Sequence, residues 1–178
     1  NVITDGTTKV YTQSNATGDA WSTAGSTSWT DYSYDVTVKP LSIGAGGFIG
    51  VYGRWQDATH WYYIKITGTT VELKKNMGNV YTVLASAPLS IALNTTHTIT
   101  LSFQGQILTV AIDGIPQLSA TDSSIASGSF AVGTYNASGS FDNVLVMTPS
   151  TPDTQAPSVP TGLTAIALSS TQIRLSWN

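Results

Sequence analysis

Aromatic and charged side chains alternate with aliphatic ones on both sides of a short polar segment around Asp57. Successive side chains of a β-strand point to opposite faces of the sheet. We therefore predict an antiparallel hairpin in which Arg54 faces Trp61, because this register collects the aliphatic side chains on one face. That face carries Ile49, Val51, Ile64 and Ile66. The opposite face carries Tyr52, Arg54, Trp61, Tyr63 and Lys65.

The second face of this hairpin is too polar for a core and too aromatic for ordinary surface, which suits sugar recognition. Pyranose rings stack their C–H faces on Trp and Tyr, and charged side chains bind the hydroxyls or a uronate carboxylate. The candidate ligand-binding residues, including those of the adjoining loop, are Tyr52, Arg54, Trp55, Asp57, His60, Trp61, Tyr63 and Lys65. The competing interpretation is that the aromatics fill the core between two sheets. Arg54 argues against it, because burying an unpaired guanidinium is costly.

Carboxylates that could cleave a glycosidic bond are scarce in this chain. Glu72 is the one glutamate, and the aspartates lie mostly at turns. Hydrolysis requires two carboxylates separated by about 5 Å or, in inverting enzymes, about 6.5–9.5 Å. No paired motif such as Glu-x-Asp-x-x-Glu occurs, so we predict a non-catalytic protein. A polysaccharide lyase stays open as an alternative, with His60 and Tyr63 as the residues that exchange protons.

Asp5 and Asp142 are the candidate metal ligands. They would approach each other if the first and last strands paired, as the ends of two-sheet β-proteins often do. Calcium binds six to eight oxygen atoms, and backbone carbonyls would supply those that the two carboxylates do not. We expect no required cofactor, and a structural calcium ion at this position is a hypothesis.

Composition narrows the class of protein. Only 10% of the residues are charged, 41% are hydrophobic, the net charge is −3 and cysteine is absent. Seven Lys and Arg residues are too few for a nucleic-acid-binding surface, and no apolar run reaches the roughly 18 residues of a membrane span. Low charge with abundant Gly, Ser, Thr and Tyr is typical of extracellular β-proteins. We predict a secreted protein with neither a nucleic-acid nor a membrane partner.

Short alternating runs bounded by Gly, Asn, Ser and Pro recur along residues 1–147, and helical periodicity is not convincing anywhere. Roughly ten to twelve strands are expected, too many for one open sheet, so we predict an all-β, two-sheet antiparallel sandwich. We expect Pro40 to end the strand that begins at Asp31 and residues 44–47 to form a flexible connector. Residues 128–135 and 140–147 are predicted to be two separate strands.

Composition changes at residue 148. Residues 148–157 are rich in Pro and Thr and are predicted to be an interdomain linker. The stretch that follows, with Pro160, Leu163 and Trp177, resembles the opening of a fibronectin type III domain. We therefore predict that residues 158–178 are the truncated start of such a domain.

Three stretches carry a further family likeness, namely residues 28–36, 50–66 and 127–144. Together they resemble the concanavalin/laminin-G-like jelly-roll modules of secreted bacterial polysaccharide lyases and glycoside hydrolases. The resemblance implies a carbohydrate-binding module over residues 1–147 that binds a polysaccharide or oligosaccharide. It also implies catalytic and fibronectin type III modules in the same parent chain. The alternatives are a structural or adhesive spacer of a bacterial surface protein and a jelly-roll polysaccharide lyase.

Overall fold

The computed structural model describes residues 1–6, 8–14, 16–148 and 161–177, and these residues contain strands and turns but no helix. They accordingly offer no helix that could cross a membrane. The all-β prediction is confirmed. The strands are β1 (Val2–Asp5), β2 (Thr8–Gln13), β3 (Asp19–Ala24), β4 (Tyr32–Asp57), β5 (His60–Ile66), β6 (Thr70–Met77), β7 (Val80–Pro88), β8 (His97–Gln104), β9 (Ile107–Ile112), β10 (Ile115–Thr121), β11 (Ser129–Met147), β12 (Thr164–Ser169) and β13 (Gln172–Ser176).

Strands β1 to β11 form a two-layer antiparallel sandwich of jelly-roll type. The front sheet has the order β3, β11, β4, β5, β6, β7, and the back sheet has the order β1, β2, β11, β4, β8, β9, β10. Both β4 and β11 belong to the two sheets. Residues 48–55 of β4 pair with 129–135 of β11 in front, and residues 33–40 pair with 139–147 behind. The two sheets are therefore joined by continuous backbone.

The core lies between the two sheets and follows from the alternation of side chains. The back sheet contributes to it Tyr32, Tyr34, Val36 and Val38, each at most 1% exposed. The front sheet contributes Ile49, Val51, Ile64 and Ile66, all 0% exposed. Full burial of such an aliphatic side chain contributes about 1.5–3 kcal/mol. The aliphatic face predicted for the hairpin is thus part of the core.

The predicted interruptions of the long strands are wrong. β4 continues through Pro40 and through residues 44–47. Pro40 is tolerated because pairing with β8 ends at Val38, so the missing N–H would face no strand on that side. The glycines permit a close crossing, since a Cβ at Gly47 would lie 2.3 Å from the carbonyl oxygen of Asn136. The two strands expected over 128–147 are likewise the single strand β11.

The C-terminal residues form a separate hairpin. β12 and β13 pair antiparallel in a two-stranded sheet of their own. Their large apolar side chains are 55–69% exposed, namely those of Leu163, Ile166, Leu168, Ile173, Leu175 and Trp177. The predicted linker lies, apart from Thr148, outside the described residues, as do the first residues of the predicted fibronectin type III start. That domain assignment stays a prediction.

Candidate functional site

The hairpin of β4 and β5 has the predicted register over most of its length. Ile49 pairs with Ile66, Val51 with Ile64, and Tyr52 with Tyr63. The predicted pairing of Arg54 with Trp61 is wrong. The register shifts between Gly53 and Asp57, so that three residues of β4 lie opposite Trp61 alone.

The reason for this shift is a β-bulge centred on Arg54, whose φ of 45° is left-handed. A bulge breaks the strict alternation of side chains, and here it turns Arg54 toward the sandwich interior. The residue is only 2% exposed. Trp55 points to the outer face instead and stacks on Trp61, with ring centroids 4.5 Å apart and an interplanar angle of 8°. Arg54 is therefore not part of the aromatic surface.

The outer face of the front sheet carries a cleft of about 470 Å³, a volume within the usual range of ligand sites. We call it the aromatic cleft. It is lined by Asp19, Trp21, Phe48, Tyr52, Ala58, Trp61, Tyr63, Asn79, Tyr81 and Tyr135. Its residues come from β3, β4, β5, β7 and β11, and from the turns that follow β4 and β6. The cleft thus spans the whole front sheet.

The floor of the aromatic cleft is a packed aromatic cluster, separate from the main core. It contains Tyr52, Trp55, Trp61 and Tyr63, which are 4–7% exposed. Tyr52 and Tyr63 stack with centroids 5.6 Å apart and an interplanar angle of 13°. These rings pack against one another as core residues do. The competing interpretation, that the aromatics fill the core between the sheets, is therefore right that they are buried. It is wrong about their location, because they lie on the outer face of the front sheet.

The accessible rings stand at the two sides of the aromatic cleft. Trp21 on β3 is 42% exposed and Tyr81 on β7 is 55% exposed. Trp21 lies 5.5 Å from the ring of Trp55 and 6.4 Å from that of Trp61. Tyr81 meets Tyr63 edge-on at 6.4 Å. A flat ligand entering the cleft would therefore contact Trp21 and Tyr81 first.

Among the described residues, Asp19 is the one acidic side chain that lines the aromatic cleft. Partial burial raises the pKa of its carboxyl group above the ordinary value. No hydrogen bond or ion pair from another described residue occupies this carboxylate, which leaves its oxygens available as acceptors.

The remaining predicted residues surround the cleft without lining it. Asp57 accepts hydrogen bonds from the backbone N–H and the hydroxyl of Thr59, both at 2.7 Å, and lies 3.1 Å from Nδ1 of His60. These hydrogen bonds, those from Thr59 first, lower the pKa of Asp57 to about 2. Lys65 lies 3.7 Å from Glu72, which also pairs with Lys74 at 3.6 Å.

Two polar side chains within the floor have no hydrogen-bond partner among the residues that the structure describes. Asn76 is fully buried opposite Trp61, and neither its amide oxygen nor its amide nitrogen is hydrogen-bonded by any described residue. The indole nitrogen of Trp61 is in the same condition. Buried amides ordinarily bind ordered water. We therefore expect ordered water to bind next to Asn76 and the Trp61 indole.

Sequence reasoning missed seven of the ten residues that line the cleft. It assigned no strand to β3, which supplies Asp19 and Trp21, and it left Phe48, Ala58, Asn79, Tyr81 and Tyr135 out of the site. A signal for Tyr81 exists, since Trp61 pairs with Asn76 and Asn76 with Tyr81. Carrying the aromatic face across the neighbouring hairpin would have reached it. Trp21 lies in a Ser- and Thr-rich edge strand with little alternation, so no comparable signal marks it.

Asp5 and Asp142 line one shallow cleft on the back sheet, together with Lys39 and Asn143. The Nζ atom of Lys39 lies 3.2 Å from Oδ2 of Asp5. Within the described ranges, no group of three or more His, Cys, Asp or Glu residues is placed to hold a metal ion. A calcium ion would have to compete with the Lys39 ammonium, and its presence stays a prediction.

Comparison with known proteins supports the fold. No family model matches the chain, and no curated protein matches it by sequence. A carbohydrate-binding module, CBM66 from Bacillus subtilis, superposes with a TM-score of 0.71 at 19% identity, covering 83% of this chain and 91% of that one. A Bacillus subtilis protein of unknown function with a galectin-like fold gives a TM-score of 0.67 at 9% identity, covering 83% and 86%.

An enzyme is also similar. The mixed-linkage glucan GH16 protein of Bacteroides ovatus, solved with a G4G4G3G product, gives a TM-score of 0.58 at 12% identity and covers 82% of this chain and 84% of that one. At these identities the likeness establishes the jelly-roll fold, which binding modules and glycoside hydrolases share. The choice between the two must come from the residues of the site.

Proposed function

We propose that residues 1–147 form a non-catalytic carbohydrate-binding module and that the aromatic cleft is its glycan site. The observation that carries the proposal is the combination of accessible rings, Trp21 and Tyr81, with an unoccupied carboxylate, Asp19, in one cleft. Sugars present apolar C–H faces next to hydroxyl groups, and this pairing of rings with a hydrogen-bond acceptor complements both.

The charge of the cleft favours an uncharged glycan. Its one ionised lining group is the Asp19 carboxylate, which has two oxygens able to accept hydrogen bonds from neighbouring hydroxyls. Arg54, the cation expected to bind a uronate, lies in the interior, and Lys65 is engaged by Glu72. A uronate in the cleft would meet the negative charge of Asp19. We therefore infer that neutral polysaccharides or oligosaccharides are the ligands.

The arrangement of carboxylates favours binding over catalysis. Hydrolysis of a glycoside needs two carboxyl groups across the scissile bond, and Asp19 stands alone among the residues lining the cleft. His60, the residue considered for a lyase, is hydrogen-bonded in the hairpin loop to Asp57. The fold shared with CBM66 agrees with a binding role, although glycoside hydrolases share it as well.

We infer that the module acts within a secreted protein and directs a polysaccharide lyase or glycoside hydrolase to its glycan. The low charge of the chain and the separate hairpin that follows the module support this view. A structural or adhesive spacer is the second candidate, but a spacer has no need of a cleft that crosses a whole sheet. Glycan binding by the purified protein separates the two functions.

The experiment compares Trp21→Ala with Trp177→Ala. Both remove an exposed indole, 42% and 60% exposed respectively, but only Trp21 lines the cleft. Affinity for soluble β-glucan, xylan, mannan and pectate is measured by calorimetry and by retardation in affinity gels. We expect a neutral glycan to bind, and Trp21→Ala to weaken it by about tenfold or more, since stacking on an aromatic contributes about 1–3 kcal/mol in the comparable case of nucleobases.

The matched variant Trp177→Ala should leave both the affinity and the melting temperature unchanged. Binding of pectate alone would contradict the inferred ligand class. Equal losses in the two variants would place the site elsewhere.

A further inference from the structure

We infer that Arg54, although it does not line the aromatic cleft, is the positioning residue that sets the cleft's floor. Its buried guanidinium holds the bulge that turns Trp55 onto Trp61. The inference rests on the proposed function for the ligand, but the geometry of the floor can be tested without any ligand.

The backbone of the bulge is anchored in the core. A non-glycine residue with a φ of 45° is disfavoured on its own, so other contacts must hold it. The N–H of Arg54 donates to the hydroxyl oxygen of Tyr32 at 2.6 Å. That hydroxyl donates in turn to the carbonyl of Ser129 at 2.9 Å. Tyr32 is 1% exposed, so this chain of hydrogen bonds is shielded from water.

The guanidinium joins three separate segments of the chain. Its Nε donates to the carbonyl of Thr30 at 3.1 Å, one terminal nitrogen donates to Ile125 at 2.8 Å, and the other donates to Gly105 at 2.8 Å. Its carbon lies 4.9 Å from the centroid of the Phe103 ring. Three carbonyls in different directions suit the rigid, five-donor fork of arginine, which a single ammonium group does not reproduce.

The salt bridge with Asp31 is a secondary contact. Oδ1 of Asp31 lies 3.4 Å from the guanidinium and the Asp31 side chain is 40% exposed. The same oxygen also accepts the N–H of Gly105 at 3.0 Å. Asp31 therefore helps to hold the turn that offers the Gly105 carbonyl, while the buried carbonyls satisfy the charge of Arg54.

The start of β11 holds the bulge from the other side. A Cβ at Gly128 would lie 2.1 Å from the carbonyl carbon of Arg54, so only glycine fits at this approach. The Ser129 hydroxyl donates to the carbonyl of Trp55 at 3.2 Å. With the backbone held on both sides, the Trp55 ring lies against Trp61, which lines the cleft.

The test reads the floor directly through the indole N–H resonances of ¹⁵N-labelled protein. A ring stacked at 4.5 Å shifts the Trp61 resonance by its ring current, and Trp55→Ala shows where that resonance lies when the stack is lost. We expect Arg54→Lys, which keeps the charge but not the fork, to move it toward that position. Gly128→Ala, which leaves Arg54 intact and displaces the bulge, should move it in the same direction.

Ile99→Ala is the control for a general loss of stability. Ile99 is 0% exposed in the main core and lies on β8 of the back sheet, where it pairs with Val36 and Ile112. Its replacement should lower the melting temperature and leave the Trp61 resonance in place. Affinity for the neutral glycan expected to bind should fall several-fold in Arg54→Lys and stay unchanged in Ile99→Ala.

If Arg54→Lys and Gly128→Ala fold and keep the wild-type Trp61 resonance, Arg54 is only a structural residue and the inference is wrong. Should Arg54→Lys fail to fold, the Trp61 resonance of Gly128→Ala alone decides. If neither variant folds, the bulge is a requirement of the fold as a whole, and the inference is also rejected. If the wild-type protein binds no glycan while the resonances move as expected, the proposed function fails and the positioning role of Arg54 stands.

Discussion

Asp122 illustrates how single polar residues connect the core to the loops of this sandwich. Its carboxylate accepts hydrogen bonds from Tyr62 at 2.6 Å and from Lys75 at 2.5 Å. The hydroxyl of Tyr62 accepts the N–H of Ile125 at 3.1 Å, and Ile125 also offers its carbonyl to Arg54. Tyr62 and Arg54 therefore fix the same loop from two neighbouring positions. Burial, with the bond to Asp122, raises the pKa of Tyr62 to about 12.

The first residue-scale prediction concerns the acid side of the stability profile. Burial would raise the pKa of Asp122, but the hydrogen bonds from Lys75, Tyr62 and Ser124 outweigh it and lower the pKa well below its usual range. A lowered pKa stabilises the fold above the unfolded value of about 3.9, and this contribution is lost as the pH falls below it. Asp122→Asn should therefore destabilise the protein at pH 6 to 7, roughly the range where the contribution is complete.

Denaturant unfolding of wild type and Asp122→Asn across acidic pH measures this difference. We expect the gap between the two proteins to narrow as the pH falls through the unfolded value. A gap that is constant with pH would mean that packing, and not the ionised carboxylate, accounts for the effect.

The second residue-scale prediction concerns Ile64, on the inner face of β5. Ile64 is 0% exposed in the main core, and Ile64→Ala should lower the free energy of unfolding by about 2–5 kcal/mol. Glycan affinity of the folded protein should stay unchanged, because the side chain points away from the cleft. Chemical denaturation and calorimetry on the same sample measure the free energy of unfolding and the affinity. A loss of affinity without a loss of stability would mean that the core-facing and cleft-facing sides of β5 were assigned the wrong way round.

At this scale the sequence predicted which aliphatic side chains enter the core and the pairing of Tyr52 with Tyr63. It did not predict the orientation of Arg54 and Trp55. Alternation assumes an unbroken strand, and the bulge depends on carbonyls of Thr30, Gly105 and Ile125 that become neighbours of residue 54 only in the folded chain. No local pattern records such contacts.

Among the secondary-structure elements, β4 and β11 are distinctive because each runs through both sheets. Sequence patterns divided β4 at Pro40 and β11 near residue 136, because proline and glycine were taken as strand ends. In this fold those residues instead mark where a strand leaves one sheet and enters the other.

The prediction for elements concerns the hairpin of β12 and β13. Its large apolar side chains are 55–69% exposed, so it buries little surface against the other residues that the structure describes. Truncation after Thr148 should leave the main melting transition within a few degrees of the full chain, since about 1 kcal/mol moves it by only a few degrees at this size. Scanning calorimetry measures this transition. A large drop would show that the hairpin stabilises the sandwich.

At the scale of the whole molecule, the fold alone does not determine the function. The jelly roll is shared with a carbohydrate-binding module and with glycoside hydrolases, so the fold leaves activity open. The residues decide it, and the lone carboxylate of the cleft leads us to expect no depolymerisation of β-glucan, xylan, mannan or pectate. Reducing-end and unsaturated-uronate assays on the purified protein provide the measurement. Product release that is lost in Asp19→Asn or His60→Ala would identify an enzyme.

The path of β11 through both sheets also determines where a neighbouring domain can be joined to the sandwich. Strand β1 and the end of β11 both lie in the back sheet, whereas the aromatic cleft opens on the outer face of the front sheet. A peptide joined directly to either strand therefore starts from the sheet that does not carry the cleft. Under the proposed function, a polymer bound at the front face would then leave both points of attachment on the other sheet.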